Sequence, residues 1–133
     1  MDINSMLQQI ASYQNWALVH DPNTGGYKLE IATEYGRSQV VNVSGGQDPE
    51  GRMLAYIWSV VCDTSAIGDP YYLLRLNADM PYGALAVRDP HVILVETQLV
   101  ETADAEEIRR AIYFVGKQAD ELEKQVHGHV DQQ

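Results

Sequence analysis

Residues 53–62 are apolar on both faces of a strand, and this constrains the fold more than any other segment. Side chains along a strand point alternately to the two faces of a sheet. Here both sets are apolar: Met53, Ala55, Ile57 and Val61 against Leu54, Tyr56, Trp58 and Val60. A solvent-exposed sheet face usually carries polar side chains. Burying one large apolar side chain stabilises the folded protein by about 1.5–3 kcal/mol. The second face is therefore either covered within the chain or used for binding or dimerisation. We favour a binding surface, because the remaining predicted helices are too few to cover both faces.

Hydrophobic periodicity elsewhere predicts an α+β fold with the order α-β-β-β-β-α-β-β-α. Helical spacing predicts a first helix at residues 3–13, a middle helix at 70–80 and a long last helix from residue 104. Strands are predicted at 16–19, 27–35, 39–43, 53–62, 82–87 and 92–99, with loops at 21–26 and 44–51. We expect one curved antiparallel sheet flanked by helices. No repeat or linker interrupts the sequence, so residues 1–133 are expected to form a single domain, with a polar tail from about 127.

Carboxylates are placed to begin all three helices. Asp2 or Asn4 precedes the first helix, and Asp69 precedes a proline at the first position of the middle helix. Both arrangements are typical of helix N-termini. Asp104 is followed three residues later by Glu107, which is the spacing of a capping box.

The chain is acidic, with nine Lys and Arg against nineteen Asp and Glu and a formal net charge of −10. Nucleic-acid binding needs a basic surface that releases counterions from phosphates, so we expect no nucleic-acid partner. The same charge disfavours an anionic membrane surface, and no apolar run reaches the roughly 18 residues of a membrane span. The N-terminal residues also lack the pattern of a secretory signal. We therefore expect a soluble, cytoplasmic protein.

No residue pattern predicts catalysis or a metal site. Cys62, the one cysteine, ends an apolar strand and is followed by Asp63. A neighbouring carboxylate raises a thiol pKa, so a buried structural role is favoured. His127 and His129 lie in the predicted polar tail, and the glycine pairs at 25–26 and 45–46 open no helix that could bind phosphate. We expect no enzyme activity, no cofactor and no metal.

Residues 72–87 resemble the core segment of a known superfamily. They read YLLRLNADMPYGALAV, which is similar to the "L-L-x-L-N … L-P-x-G-x-x-A" pattern of the type III secretion chaperone-like superfamily. This superfamily includes the CesT-type class I chaperones and the YbjN-type sensory transduction regulators. Residues 92–100 look like its following strand and residues 104–122 like its closing helix. The shared residues are mostly packing residues, so the resemblance supports the fold more than the function.

The resemblance implies a non-enzymatic, chaperone-like homodimer. Members of the secretion branch hold an extended segment of a client or effector protein in apolar grooves and by strand addition. It also implies that Asn77 closes the middle helix with a hydrogen bond. The candidate interface residues are the outer set of residues 53–62 and the middle helix beside it: Leu54, Tyr56, Trp58, Val60, Leu73 and Leu76. Which patch meets a second copy and which meets a client stays open, as does the branch of the superfamily.

Two other classes of function remain as alternatives. One is a small-molecule pocket between the helices and the sheet, with or without catalysis or a regulatory role. Its lining would include Tyr13, Trp16, Tyr27 and Tyr35, because ligand pockets are chiefly apolar with few polar groups. The other is a structural subunit of a larger assembly, which would have a folded partner at fixed stoichiometry.

Overall fold

The computed structural model describes residues 2–131, with side chains described through residue 128. The helices and strands are α1 (Ile3–Gln14), β1 (Ala17–His20), β2 (Tyr27–Ala32), β3 (Ser38–Gln47), β4 (Met53–Asp63), α2 (Pro70–Asn77), β5 (Ala84–Arg88), β6 (His91–Leu99) and α3 (Ala105–Asp131). A 3₁₀ turn at Thr64–Ala66 joins β4 to the segment before α2. This is the predicted order of elements.

The six strands form one antiparallel sheet in the order β1-β2-β3-β4-β6-β5. The first four strands are sequential neighbours, and α2 then carries the chain to β5 at the far edge. The β5–β6 hairpin returns β6 to the side of β4. β4 is therefore paired along both of its edges, with β3 and with β6. The predicted α+β fold with a single antiparallel sheet is confirmed.

Helices α1 and α3 cover one face of this sheet. α3 packs against β3, β4 and β6, while α1 packs against α3 and β1. The apolar stripe of α3 is buried along its whole length: Ile108, Ile112, Val115, Ala119, Leu122 and Val126. It meets the inward-facing strand residues of the core, among them Leu29, Ile31, Val41, Val43, Ala55, Ile57, Val61 and Leu94.

A glycine allows α3 to approach the sheet closely. A Cβ atom at Gly116 would lie 2.9 Å from Cγ2 of Val41 and 3.2 Å from Cδ1 of Ile31. These distances are shorter than ordinary van der Waals contacts between carbon atoms, which are about 3.5–4.0 Å. The helix α3 therefore packs closely against β2 and β3, and a larger residue at position 116 would push it away from these strands.

The predicted helix caps are present. Oδ1 of Asp2 accepts from the backbone N–H of Ser5 at 2.7 Å, and Oδ1 of Asp104 accepts from that of Glu107 at 2.8 Å. Oδ1 of Asp69 accepts from the backbone N–H of the second α2 residue at 3.0 Å. Each bond satisfies a backbone donor that the helix itself leaves without a partner.

The loop predicted at residues 44–51 is wrong in its first half, because β3 continues through Gln47. Gly45 and Gly46 lie inside this strand, and neither has a positive φ. The turn itself is shorter and ends at Gly51, whose φ is 83°. Gly46 has a packing role: a Cβ atom there would collide with the ring of Tyr56 on the neighbouring strand. Glycine in this strand makes room for an aromatic ring rather than for a turn.

The predicted role of Asn77 is also wrong. Its side chain does not bond the end of α2 but pairs with the backbone of Leu85 in edge strand β5. Oδ1 accepts from the Leu85 N–H at 2.6 Å, and Nδ2 donates to the Leu85 carbonyl at 3.4 Å. A carboxamide carries one acceptor and one donor group side by side, so it can satisfy the free edge of a strand as another strand would. Asn77 thereby ties α2 to the sheet.

The last helix is longer than expected. α3 continues to Asp131, so the segment after residue 126 is helical where a polar tail was predicted. The side chain of His129 lies outside the described residues.

An ion pair connects the β2–β3 loop to α3. Asp120 is 1% exposed, and its Oδ1 accepts from Nε of Arg37 at 3.1 Å and from Nη2 at 2.8 Å. Nζ of Lys124 lies 3.8 Å from the other carboxylate oxygen. Burial alone would raise the pKa of Asp120, but the hydrogen bonds and charge of Arg37 outweigh burial and lower the pKa below its ordinary value of 3.8. The ionised form is therefore favoured in the folded protein.

Replacing Asp120 by asparagine (Asp120→Asn) should lower the free energy of unfolding by about 1–3 kcal/mol near neutral pH, because a charged hydrogen-bond acceptor is lost from a buried site. A carboxyl group whose pKa is lowered by folding stabilises the protein above its unfolded pKa and loses this effect as pH falls through the folded value. The difference between wild type and variant should hold from pH 7 to about pH 5 and shrink below about pH 4. Urea unfolding at several pH values measures this difference, with Glu50→Gln at an exposed turn residue as the control. An unchanged difference at low pH would contradict the assignment.

Replacing Asn77 by alanine (Asn77→Ala) should destabilise the protein by about 1–3 kcal/mol, since a nearly buried backbone amide and carbonyl lose their partner. The amide proton of Leu85 should also exchange faster with solvent. The exchange rates of the β4 amides should rise only by the amount that the lower global stability explains. Gln8→Ala, which removes only an exposed side-chain bond within α1, serves as the control and should stay within about 0.5 kcal/mol of wild type. Unaltered exchange at Leu85 in the Asn77 variant would show that the side chain does not hold this edge.

Candidate protein-binding face

The outer face of the sheet is the side turned away from α1 and α3, and it carries Leu54, Tyr56, Trp58 and Val60. These four residues alternate along β4 with residues that are fully buried in the core. All four are partly exposed, and none belongs to the core cluster or packs against it. The described helices therefore cover one face of β4 and leave its other apolar face to solvent.

The apolar character of this face extends to the neighbouring strand β6. Leu54 is paired with Leu99, Trp58 with Val95 and Val60 with the nearly buried Ile93. On the other side, β3 presents polar or small partners: Asn42 opposite Trp58, Ser44 opposite Tyr56 and Gly46 opposite Leu54. The face is thus an apolar band over β4 and β6, bordered by a polar strip on β3.

Two contacts within the chain hold the aromatic rings of this face in place. The ring of Tyr56 occupies the space above Gly46, which has no side chain to displace it. The guanidinium carbon of Arg88 lies 5.3 Å from the centroid of the Trp58 ring, within the range of a cation–π contact. These contacts cover part of each ring and restrict its movement, so less side-chain entropy is lost when a partner binds.

A shallow cleft of about 230 Å³ adjoins Trp58 on this face. Its charged lining residues are Asp21, Lys28 and Arg88, and its polar residues include Asn42 and Ser44. The pKa of Asp21 is lowered, chiefly by a hydrogen bond from the backbone N–H of Asn23. Charges of both signs border the aromatic ring, an arrangement typical of the polar rim of a protein interface.

The candidates on the middle helix are placed differently. Leu73 is 8% exposed and belongs to the core, and Leu76 packs against that core. The exposed apolar residues of α2 are instead Tyr71, at 67%, and Leu74, at 60%. The stripe of Leu73 and Leu76 faces inward because it is the apolar side of an amphipathic helix. The same periodicity indicates that the opposite side of the helix is the exposed one. The proposal below therefore rests on the four β4 residues.

The pocket predicted from four aromatic residues is wrong. Tyr35 is 100% exposed and Tyr13 is 85% exposed. Trp16 and Tyr27 line separate depressions on the surface. Tyr35 lies beyond β2, in a loop with a φ of 45°, so it does not continue the strand alternation that placed it beside Tyr27.

A larger cleft lies elsewhere, where the first turns of α1 and α3 meet the ends of β4 and β6. We call it the α1–α3 cleft; its volume is about 650 Å³, and it is lined by Asp2, Ile3, Met6, Gln9, Gly45, Met53, Leu54, Val100, Glu101, Ala103, Asp104 and Ala105. No aromatic residue lines it, so the pattern of aromatic residues in the sequence does not indicate it.

Cys62 is buried, as predicted, with 8% exposure. Burial is the main reason that its pKa is raised, and the charge of Asp63 adds to the effect. A thiol with a raised pKa is a poor nucleophile at neutral pH. Among residues 2–128, whose side chains the structure describes, no group of three His, Cys, Asp or Glu side chains is arranged to hold a metal ion. No helix within residues 2–131 is both long and apolar enough to cross a membrane.

Comparison with known proteins supports the fold. No protein-family model matches the sequence, and no curated protein matches it. The structure is similar to that of the Yersinia pestis type III secretion chaperone SycH in complex with a stable fragment of YscM2, with a TM-score of 0.53. The two chains are 15% identical, and the match covers 89% of this chain and 97% of the SycH chain. This likeness shows a secretion-chaperone-like fold.

Proposed function

We propose that this protein is a non-enzymatic, chaperone-like domain that acts as a homodimer and holds an extended segment of a partner protein. One observation carries the proposal: the central strand presents Leu54, Tyr56, Trp58 and Val60 on a sheet face that the described helices leave uncovered. Tyr and Trp are enriched at protein interfaces and dominate their binding energy when they are desolvated. An apolar band on a sheet is also a surface on which an extended chain can lie.

The fold likeness to SycH supports the proposal in a limited way. SycH is a type III secretion chaperone, and its structure contains a fragment of another protein. We transfer to this chain only the general idea of a sheet-and-helix domain that binds another polypeptide. The net charge of −10 fits this role, because it keeps a protein with an exposed apolar face soluble.

The chemistry of the described residues favours binding over catalysis. The thiol of Cys62 is buried and its pKa is raised, and the outer face brings together aromatic, aliphatic and amide side chains rather than an acid–base pair. On the basis of the acidic charge, we extend the proposal to a protein without a nucleic-acid or membrane partner. A cytoplasmic location and the lack of a cofactor are further parts of the proposal.

Replacing two aromatic residues of the outer face (Tyr56→Ala with Trp58→Ser) should reduce dimerisation or partner binding by about tenfold or more. The reduction should exceed the loss of monomer stability, because both rings are partly exposed in the single chain. The matched control is Tyr13→Ala with Tyr35→Ser, which removes two aromatic rings that are more exposed and lie off this face. Light scattering measures the dimer, and urea unfolding measures stability.

The partner itself can be identified by capture from the native host on tagged protein, followed by mass spectrometry. A protein recovered near stoichiometry with wild type and with the control, but not with the outer-face variant, would support the proposal. A folded partner at fixed stoichiometry would instead favour a structural subunit. If the outer-face variant only unfolds, the two rings are core residues and the proposal fails. If no protein is recovered, a metabolite panel read by thermal stabilisation would test the small-molecule alternative.

A further inference from the structure

We propose that the α1–α3 cleft receives an apolar side chain from a basic segment of the partner protein. This inference rests on the proposed function and adds the chemistry of the segment that is bound. It follows from three properties of the cleft, namely its shape, its charge and its position next to the outer face.

The cleft has an apolar floor and a flexible wall. Met6 is 4% exposed and forms part of the interior surface, while Met53 is 44% exposed at the edge. The other apolar residues of the lining are Ile3, Leu54, Val100, Ala103 and Ala105. Methionine side chains adapt to the shape of what they contact, as is common at surfaces that bind varied peptides. A volume of about 650 Å³ is large enough for a leucine-sized or aromatic side chain with neighbouring backbone.

All the charged residues that line the cleft are acidic: Asp2, Glu101 and Asp104. Asp2 and Asp104 each use an oxygen to cap a helix, and the adjacent helix ends offset part of their charge. The pKa of Asp2 is lowered, mainly by its bond to the backbone N–H of Ser5, so it stays ionised near neutral pH. Glu101 is exposed, and among the described residues it has no ion-pair partner. The local charge therefore has the same sign as the whole chain and selects for lysine or arginine in an occupant.

The cleft adjoins the proposed binding face. Leu54 lines the cleft and is also the first outer-face residue of β4, followed by Tyr56 and Trp58 at steps of two residues. The other strand residues that line the cleft, Gly45 and Met53, are on the opposite side of the sheet. A segment lying along the outer face therefore enters the cleft by passing around the β4 end where Leu54 lies. The apolar anchor and its basic neighbours would be at that end of the bound segment.

Gly45 provides a way to fill the cleft without disturbing the fold. It lines the cleft from β3, its φ is not positive, and a Cβ atom there would meet no other atom within 4 Å. Valine is favoured in strands over glycine. Gly45→Val should therefore preserve the melting temperature and place a branched side chain where the partner's side chain would bind.

The test measures binding of a fluorescently labelled synthetic peptide of alternating leucine and lysine by anisotropy. We expect it to bind, a serine–lysine peptide to bind at least about tenfold more weakly, and a leucine–glutamate peptide not to bind measurably. Gly45→Val should raise the dissociation constant of the leucine–lysine peptide by about tenfold, since burial of one apolar side chain is lost. Glu101→Lys should raise it about threefold or more at low salt, and Asp79→Lys, an equal charge change on the exposed turn after α2, should have a smaller effect.

Several outcomes would overturn the inference. Equal binding of the serine–lysine peptide, or equal effects of Glu101→Lys and Asp79→Lys, would mean that only diffuse charge attracts the peptide. Wild-type binding by Gly45→Val would place the site elsewhere, and conversion of Gly45→Val from dimer to monomer would make a second copy the occupant. If Gly45→Val does not fold, the comparison of Glu101→Lys with Asp79→Lys still tests the inference. A captured partner that depends on Tyr56 and Trp58 but has no basic segment would leave the proposed function standing and reject this inference.

Discussion

The structure depends on its central strand β4, which is apolar on both faces but is covered by helices on only one face. β4 is hydrogen-bonded to β3 and β6 along its two edges, so it cannot shift without breaking both ladders. Its inward residues meet the buried stripe of α3, and this contact fixes which face is core. The outward residues then have no helix among the described residues to pack against. The candidate binding face is a direct consequence of this one-sided packing.

Other features of the fold serve the same arrangement. Gly116 brings α3 close to β2 and β3, and the pair of Arg37 and Asp120 joins the helix to the loop between those strands. At the opposite edge, Asn77 bonds the backbone of β5 and so ties down α2. Asn77, within the segment 72–87 that resembles the secretion chaperones, therefore acts in packing and in protecting the edge of the sheet. This explains why that segment indicates a fold well and a function poorly.

Glycine and tyrosine on the outer face show how a local pattern can mislead. A glycine pair followed by Gln-Asp-Pro has the composition of a loop, and periodicity alone predicts the strand to end before it. In the structure, β3 pairs with β4 as far as Gln47, and the ring of Tyr56 occupies the space that a side chain at position 46 would need. The residue that makes glycine acceptable there is ten positions away in sequence, at position 56. A local sequence pattern carries no information about such a contact between two neighbouring strands.

The sequence by itself determined the element order, the helix caps, the inward stripe of α3 and the two-sided apolar character of β4, because these follow from local periodicity and local hydrogen bonds. It also identified Cys62 as buried. Only the tertiary structure decided that Asn77 bonds β5 and that a cleft of about 650 Å³ lies between α1 and α3 rather than among the tyrosines. These outcomes depend on which segments meet across the sheet. Such contacts join residues far apart in sequence, and the local pattern around each residue is the same whether they form or not.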